Sequence, residues 1–506
     1  MSGHVFVVQG NALQIACDEL LLPTDGRKDV VEPWLEFGAP KTPRGWRNET
    51  ARVTEAAIRG GRRVRWVNTG VPDDAEDPRG WLRAGVEKAF EAAAGGLRAR
   101  ADANLPNKDR KPKARRARPL IAAPIFGTGA GGFQKARGAV IKDLLAVSLD
   151  VVTRHDVDIV LIAYARSDYA ALQAQRQNTK HFGLSPKLLR EAANLGSQMA
   201  RGEVAFFVGA GLSQAAGLPG WKDLIEELAQ GSAKYRGRVE ELKKLPAPDS
   251  AQLLSAEPGF KKRLRDALST PLHAVGHSLI ASMRPAEVIT TNFDTLFEQA
   301  AQTPYEGALA VIPTVRGNSK KPWLLKLHGD IAAEHIVLNR DEFLGYDTLW
   351  RPLAGMLQSA MLTRHLVFVG YSLEDENFVR LGRSVSALLR SMGHTQPVGT
   401  VLTLDKKPSR NELWGKDIRE ISMIPDEGDS AWTFEVFLDR MAVVATAGES
   451  SYLLDEAYAD LLSPRDRKLA AVLRGAGDSL PTTKTADPKW RALRDAFTSL
   501  GWQPPQ

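Results

Sequence analysis

The chain of 506 residues contains one cysteine, Cys17. Internal disulfides are thereby excluded, as is any zinc ribbon built on paired Cys-x-x-Cys motifs, and Cys17 reads as a small core residue. Long apolar runs are missing too: nothing approaches the ~20 residues that span a bilayer. The start, Met1-Ser-Gly-His-Val-Phe6, lacks the charged, apolar and small-residue order of a secretory signal. A cytoplasmic protein without membrane contact is the expectation. Excess charge of one sign is modest, at a formal +7 over the whole length. It is concentrated in Lys108–Arg118 (KDRKPKARRAR), seven basic residues against one acidic. Such a run could meet a phosphate backbone or a nucleotide. It has no interleaved aromatics for base stacking, however, and reads first as a solvated loop, so nucleic acid is not the expected partner.

What is present points to mixed, ordered structure. Hydrophobic residues make up 43% of the chain, ample for real cores, and the length suits two or three domains. Strand-like and helix-like segments alternate, which predicts an α/β fold. The first block, residues 1–178, runs from Val5–Val8 and Glu19–Leu22 through Arg118–Phe126 and a helix over Ala136–Val151 to a strand at Asp158–Ala163. Residues 171–185 read as a linker, with Ser185-Pro186 placed to cap and start a helix over Lys187–Met199. The second block, 186–445, has four strand candidates: Val204–Val208, Val288–Thr291, Trp323–Leu327 and Leu366–Val369. The last block, 446–506, reads as short helices without a chemical motif.

The most informative stretch is Val204–Val208 opening directly into Gly209-Ala210-Gly211-Leu212-Ser213. β-Branched and aromatic residues that stop at glycine describe a strand turning into a helix N-terminus. There backbone N–H groups face outward and bare Cα atoms let a pyrophosphate approach, so a dinucleotide is the first ligand to expect. The other three strands run into Asn292-Phe293-Asp294, Leu327-His328-Gly329 and Gly370-Tyr371-Ser372-Leu373. The carboxyl ends of parallel strands share one sheet edge, where ligand crevices form. Each motif also has a structural reading. His328 alone reads as a strand-end histidine bonded to a neighbouring loop, Asn292 and Asp294 as caps of the next helix, and Asp375 and Asn377 as caps of a helix reaching Leu389.

These four motifs, in this order across most of the second block, resemble the sirtuin family. Gly209–Ser213 is similar to its dinucleotide loop, Asn292-Phe293-Asp294 to its Asn-Ile-Asp triplet, Leu327-His328-Gly329 to its catalytic-histidine motif, and Gly370-Tyr371-Ser372 to its Gly-Thr-Ser. The resemblance implies a Rossmann-like parallel-sheet domain that takes NAD as substrate and uses no metal. Asn292 and His328 would be catalytic, and Gly209, Ala210, Gly211, Ser213, Asp294, Gly370, Ser372 and Asn377 would bind the dinucleotide.

The departures narrow the resemblance. Leu218-Pro219-Gly220-Trp221-Lys222 stands where protein-deacylating sirtuins have Pro-Asp-Phe-Arg, and one cysteine cannot build their four-cysteine zinc module. In these details the block is more similar to the bacterial sirtuin-like effectors of anti-phage systems: Thoeris effectors, and those paired with short Argonautes or HerA-type ATPases. That resemblance implies cleavage of the nicotinamide–ribose bond to ADP-ribose or a cyclic form, a homo-oligomer, and a defence partner such as a HerA-type ATPase. Nicotinamide leaves from an already cationic ring, so no strong acid is required, and the task is to aim a nucleophile at an electron-poor sugar. Asn292 could hold a water or a ribose hydroxyl, His328 could accept a proton and Asp294 could grip the carboxamide. A protein ADP-ribosyltransferase or deacylase using the same site, and a non-catalytic nucleotide sensor, are the alternatives.

The first block resembles the macro domain, which binds ADP-ribose and related nucleotides. Gly10-Asn11 followed by Asp18 is similar to its Gly-Asp start and adenine-reading aspartate, and Gly127-Thr128-Gly129-Ala130-Gly131-Gly132-Phe133 to its phosphate loop. The Asn-Ala-Ala-Asn segment is replaced by Pro23-Thr24-Asp25, and residues 40–60 hold no poly-glycine loop. Binding of an ADP-ribose derivative as a signal is the expectation, since a glycine loop before a helix suits a diphosphate.

Overall fold

The alternation of apolar strands with amphipathic helices resolves into two sheets, each dominated by parallel pairing. The computed structural model describes residues 2–504 except 26, 28–29, 31, 33, 39–40, 47–50, 60–61, 104–115, 130, 178, 180–181, 318–320, 334, 346–349, 406–411 and 481–487. The basic run Lys108–Arg118 therefore lies outside the described residues up to position 115. Its last two arginines are structural, Arg116 pairing with Asp158 (2.9 Å) and Glu435, and Arg118 with Asp156 (2.6 Å).

The first sheet has the order β1-β6-β5-β2-β4-β3, from β1 (Val5–Gln9), β2 (Glu19–Thr24), β3 (Ala57–Arg59), β4 (Arg62–Asn68), β5 (Leu120–Pro124) and β6 (Asp158–Ala163). Only the β3–β4 pair is antiparallel. The second sheet is parallel throughout, ordered β15-β14-β13-β7-β8-β10-β9. Its strands are β7 (Val204–Val208), β8 (Glu287–Thr290), β9 (Ala310–Ile312), β10 (Trp323–Lys326), β13 (His365–Val369), β14 (Gly399–Thr403) and β15 (Ile418–Ser422). A short hairpin of β11 (Gly329–Asp330) and β12 (His335–Ile336) follows β10.

Side chains on a strand alternate between faces, and here that alternation joins the two sheets. Val5, Val7, Ile121, Ile159 and Leu161 pack on helices Pro78–Asp102, Arg137–Arg154 and Arg166–Arg176. Their neighbours Phe6, Val8, Ala122, Val160 and Ile162 share one core with Val204, Phe206 and Val208 of the second sheet. Helices Pro186–Ala200, Val275–Ser282 and Ser430–Ala445 contribute to that core. The opposite face of the second sheet, with Ala205, Phe207 and Phe368, packs on helices Arg351–Thr363 and Glu376–Ser391. The result is five layers with a shared helical layer in the middle. Cys17 is partly buried against that middle core.

One sequence expectation changes. The linker over 171–185 is helical in its first part, because Ala171, Leu172, Gln173 and Arg176 are buried in helix Arg166–Arg176. Within 446–506 the described residues form the expected short helices, Glu456–Leu461, Pro464–Asp478 and Pro488–Ser499, which pack on the first unit, with Tyr458, Leu462 and Trp502 completing the core of its helices. Among the described residues no helix is long and apolar enough to cross a membrane.

The middle layer also holds buried imidazoles. Burial pushes His273 down to about 3 and His277 down to about 4, and on β13 burial pushes His365 down to about 4. In the unfolded chain these groups take protons near pH 6.5, while the folded chain does not until far lower, so stability is lost as pH falls below 6.5. The loss is roughly 1 kcal/mol per pH unit for each. Thermal melts are expected to show a marked fall between pH 7 and pH 5, and a flat profile would contradict it.

Candidate functional site

The second sheet brings all four sequence motifs to its carboxyl edge. β7 ends at Gly209, and helix Ala210–Gln214 begins at once. The glycines serve loop-on-loop packing. A Cβ on Gly209 or Gly211 would lie 2.5 or 2.8 Å from the Gly370 carbonyl oxygen, and one on Gly370, whose φ is +62°, would lie 2.4 Å from the Leu212 nitrogen. The same contact occupies two amides, Gly209 N–H donating to Val369 O (2.8 Å) and Gly211 N–H to Gly370 O (2.8 Å). Sequence reasoning had both amides facing a pyrophosphate. The loop that follows β13 already engages them, while Ala210 and Gly211 themselves are exposed.

Beneath this loop lies a polar cluster. Ser213 Oγ donates to Asp294 Oδ2 (2.8 Å), and Asn292 Nδ2 donates to Ser213 Oγ (3.2 Å). Asp294 Oδ1 accepts from Leu296 N (3.0 Å), capping helix Leu296–Ala301. One carboxylate thus caps the helix and holds Ser213. Thr290 fixes the approach, donating to Val208 O (2.7 Å) and accepting from Asn292 N (2.9 Å). Phe293 anchors the triplet from its other side in the core of the helical insert, with Leu224, Leu254 and Leu264.

His328 follows β10 and is 5% exposed. Its Nε2 lies 3.5 Å from Asp375 Oδ2, and the ring of Phe343 meets it edge-on at 5.2 Å between centroids. Burial pushes the imidazole below its ordinary value and Asp375 opposes that, so it is the neutral, proton-accepting form that persists into mild acid. Asp375 has a second task, its Oδ1 accepting from Phe378 N (2.9 Å) at the start of helix Glu376–Ser391. Asp375→Asn keeps that cap and removes the charge. The acid limb of activity is then expected to move to lower pH, which a pH–kcat/KM profile checks. An unmoved limb would show that Asp375 does not tune His328.

The remaining second-block residues lie in this neighbourhood. Ser372 and Leu373 follow Gly370, and Leu373 has a φ of +62° without being glycine, a strained geometry held by surrounding structure. Asn377 sits in the first turn of its helix with its amide nitrogen buried and unpartnered among the described residues. Sequence reasoning missed Lys326, although a lone charge inside Trp-Leu-Leu-Lys-Leu was a signal. It is fully buried at the base of the His328 loop. Among the described residues no group of three acidic, histidine or cysteine side chains is placed to hold a metal ion.

The first sheet has its own cleft at its carboxyl edge, about 870 Å³, in the range of small-ligand sites. Gly127, Thr128, Gly129 and Gly131 line it, with Thr24, Asp25, Arg137 and Asp168, which sequence reasoning missed. Gly127 has a φ of +77°, and a Cβ on Gly131 would lie 2.7 Å from the Gly127 Cα. Gly132 adjoins the loop without lining the cleft. Arg137 donates to Thr128 O (3.0 Å), to Asp168 and to the Tyr458 hydroxyl (3.0 Å). Asp18 is a correction. It precedes β2, at the amino end of the strand and away from the cleft, and its carboxylate accepts from Leu120 N (2.7 Å), so it aligns β5.

Comparison with known proteins agrees with the second-sheet geometry. Residues 286–421, which include Asn292, Asp294, His328 and Gly370, match the SIR2-like domain family. The chain is 30% identical over 222 residues to Defense-associated sirtuin 2 of Bacillus subtilis, covering 42% of this chain and 22% of that protein. It is 26% identical over 187 residues to the NAD(+) hydrolase ThsA of Acinetobacter baumannii (strain 532279), covering 34% and 37%. With ThsA of Enterococcus faecium it shares 27% over 207 residues, covering 38% and 41%. The matches thus span less than half the length of each of these relatives. Four ordered motifs on one parallel-sheet edge fit the SIR2-like domain that residues 286–421 of this chain match.

Proposed function

We propose that the chain is an NAD glycohydrolase, releasing nicotinamide and ADP-ribose or a cyclic form, and that it acts as a regulated effector of bacterial anti-phage defence. The observation that carries this is the convergence of Asn292, Asp294, Ser213 and His328, one buried imidazole and three hydrogen-bonding groups, at the edge where a dinucleotide would lie. Asn292 would hold the attacking water or a ribose hydroxyl, His328 would take the proton, and Asp294 would orient the carboxamide. Ser372, Asn377 and the exposed Ala210–Gly211 turn would hold ribose and phosphate. The names of the similar proteins, NAD(+) hydrolase and defence-associated sirtuin, agree with that chemistry.

The imidazole of His328 is almost fully buried, with Phe343 edge-on against it. Such burial fits an enzyme whose unrestrained activity would harm its own cell. Opening would be driven by a nucleotide signal, an ADP-ribose derivative held in the macro-like cleft of the first unit, because a ligand shifts an equilibrium only by binding one state better. The two units touch next to that cleft: Gln9 N donates to Ser282 Oγ (2.8 Å), and Arg166 joins Ser282 O (2.9 Å) to Gln9 Oε1 (3.1 Å). Helix Val275–Ser282 then runs to the glycine loop, where a Cβ on Gly276 would lie 2.6 Å from Leu212 Cδ1. A cytoplasmic homo-oligomer, working with a partner such as a HerA-type ATPase, completes the proposal.

The test is incubation of the purified chain with NAD, with and without ADP-ribose derivatives, following nicotinamide by chromatography and protein mass by spectrometry. Nicotinamide and free ADP-ribose are expected. Mass added to protein would favour a transferase instead, and binding without turnover a sensor.

A further inference from the structure

The described structure has one lysine with no exposed surface, Lys326, and its surroundings are oxygen on several sides. Its Nζ donates to Asp294 O (2.7 Å) and Phe293 O (3.3 Å), both main-chain carbonyls of the Asn-Phe-Asp triplet. It also donates to Glu298 Oε1 (2.7 Å) on the helix that follows, and lies 3.3 Å from Asp330 Oδ1. Asp330 belongs to the segment immediately after His328-Gly329. Glu298 is itself pushed up by burial, against which Lys326 works.

A buried ammonium is expensive unless its donors are satisfied, and simple ion pairing needs only one carboxylate. Here two of the acceptors are neutral carbonyls of the triplet that carries Asn292 and Asp294. The fourth neighbour is a carboxylate of the loop that carries His328. The tetrahedral head is therefore a cross-brace between two catalytic loops, a task the compact ammonium suits and a planar guanidinium does not. The main chain crosses the same gap at Ile331 N to Phe293 O (3.1 Å) and, at the strand ends, at Leu327 N to Thr290 O (2.8 Å), and the ammonium adds a side-chain tie to these.

We propose that Lys326 is a positioning residue: its buried ammonium pins the Asn292–Asp294 triplet to the His328 loop and fixes the distance between the group that holds the nucleophile and the imidazole that takes its proton. It touches neither substrate nor reacting atoms. The proposal rests on the NAD-cleaving reading of the site.

The experiment compares Lys326→Met, Lys326→Arg and Glu298→Gln in the full chain, reading kcat and KM for nicotinamide release beside hydrogen exchange at the amides of Leu296 and Ile331. Lys326→Met is expected to lower kcat by about 100-fold with KM changed about threefold or less, the size of loss that loss of reacting-group alignment brings. Exchange at both amides should quicken by about tenfold or more. Glu298→Gln removes the Glu298 ion pair but leaves the Asp330 and carbonyl contacts, and its kcat should stay within about threefold of wild type. Lys326→Arg keeps the charge and should fall between the two.

Equal losses in Glu298→Gln and Lys326→Met would reduce Lys326 to an ordinary ion-pair partner and overturn the proposal, as would a wild-type kcat in Lys326→Met. If Lys326→Met does not fold, wild-type kcat and exchange in Lys326→Arg overturn it. A wild-type chain that never releases nicotinamide refutes the NAD-cleaving reading instead, and the exchange measurement then decides the brace by itself.

Discussion

Replacing His328 by alanine is expected to lower kcat for nicotinamide release by about 10²- to 10⁴-fold, the contribution of a positioned general base. The ring is buried against Phe343 and paired with Asp375, so removal also leaves a small void, and the melting temperature should fall by a few degrees. NAD affinity should change far less than kcat, because in the proposed mechanism the imidazole acts on the proton of the nucleophile while other residues grip the dinucleotide. His328→Gln, which fills the void and still hydrogen-bonds, should remain as inactive as the alanine variant. An alanine variant within about threefold of wild-type kcat would remove His328 from the chemistry.

The largest effect on folding is expected from Asp439→Ala. Asp439 has no exposed surface and sits where the two units meet. Its carboxylate pairs with Arg176 (3.0 Å from Nη1 to Oδ1) and His4 Nε2 (2.7 Å), and Val7 N reaches it at 3.5 Å. Burial works to raise the Asp439 carboxyl, but Arg176 and His4 outweigh it and hold it below the ordinary carboxylate range. Taking away the anion strands a guanidinium that is itself buried, and breaking such a pair from one side costs about 3–5 kcal/mol. A double substitution, Arg176→Met with Asp439→Leu, removes both charges and should recover most of that loss. Chemical denaturation of the three chains checks this. A loss under about 1 kcal/mol for Asp439→Ala would mean that water reaches the pair.

Much of the site could be read from the chain because its residues are local. A strand that stops at Gly209, an Asn-Phe-Asp after β8 and a His-Gly after β10 each announce a strand end, and parallel pairing alone brings strand ends together. What could not be read depends on contacts far apart in sequence. Asp375 looked like a helix cap or a ligand contact, and it is a cap whose second oxygen faces His328, 47 positions away by number. The glycines of the loop looked like an opening for phosphate, and two of them are spent on the approach of Gly370. Asp18 was placed by its spacing from Gly10, yet a strand has two ends and only the carboxyl end of β2 meets the cleft.

The larger architecture escaped sequence reasoning for a similar reason. β14 (Gly399–Thr403) and β15 (Ile418–Ser422) are short strands among polar residues, and β4 (Arg62–Asn68) carries three arginines within seven residues. One of these, Arg65, is buried only because Glu19 pairs with it at 2.5 Å. Nor does the continuous apolar run Val5–Val8 say which helices will cover the second face. Those helices come from residues 186–200, 275–282 and 430–445, and they give the two sheets a common layer.

The central claim is that four separated segments surround one dinucleotide with its nicotinamide end at His328. It is tested most directly by a crystal structure of the chain with a non-cleavable NAD analogue. The account predicts diphosphate density at the Ala210–Gly211 turn and the carboxamide within hydrogen-bond reach of Asp294, with Phe343 displaced from the imidazole. An analogue lodged elsewhere, with Ser213, Asn292 and Asp294 still bonded to one another and Phe343 still against His328, would contradict it.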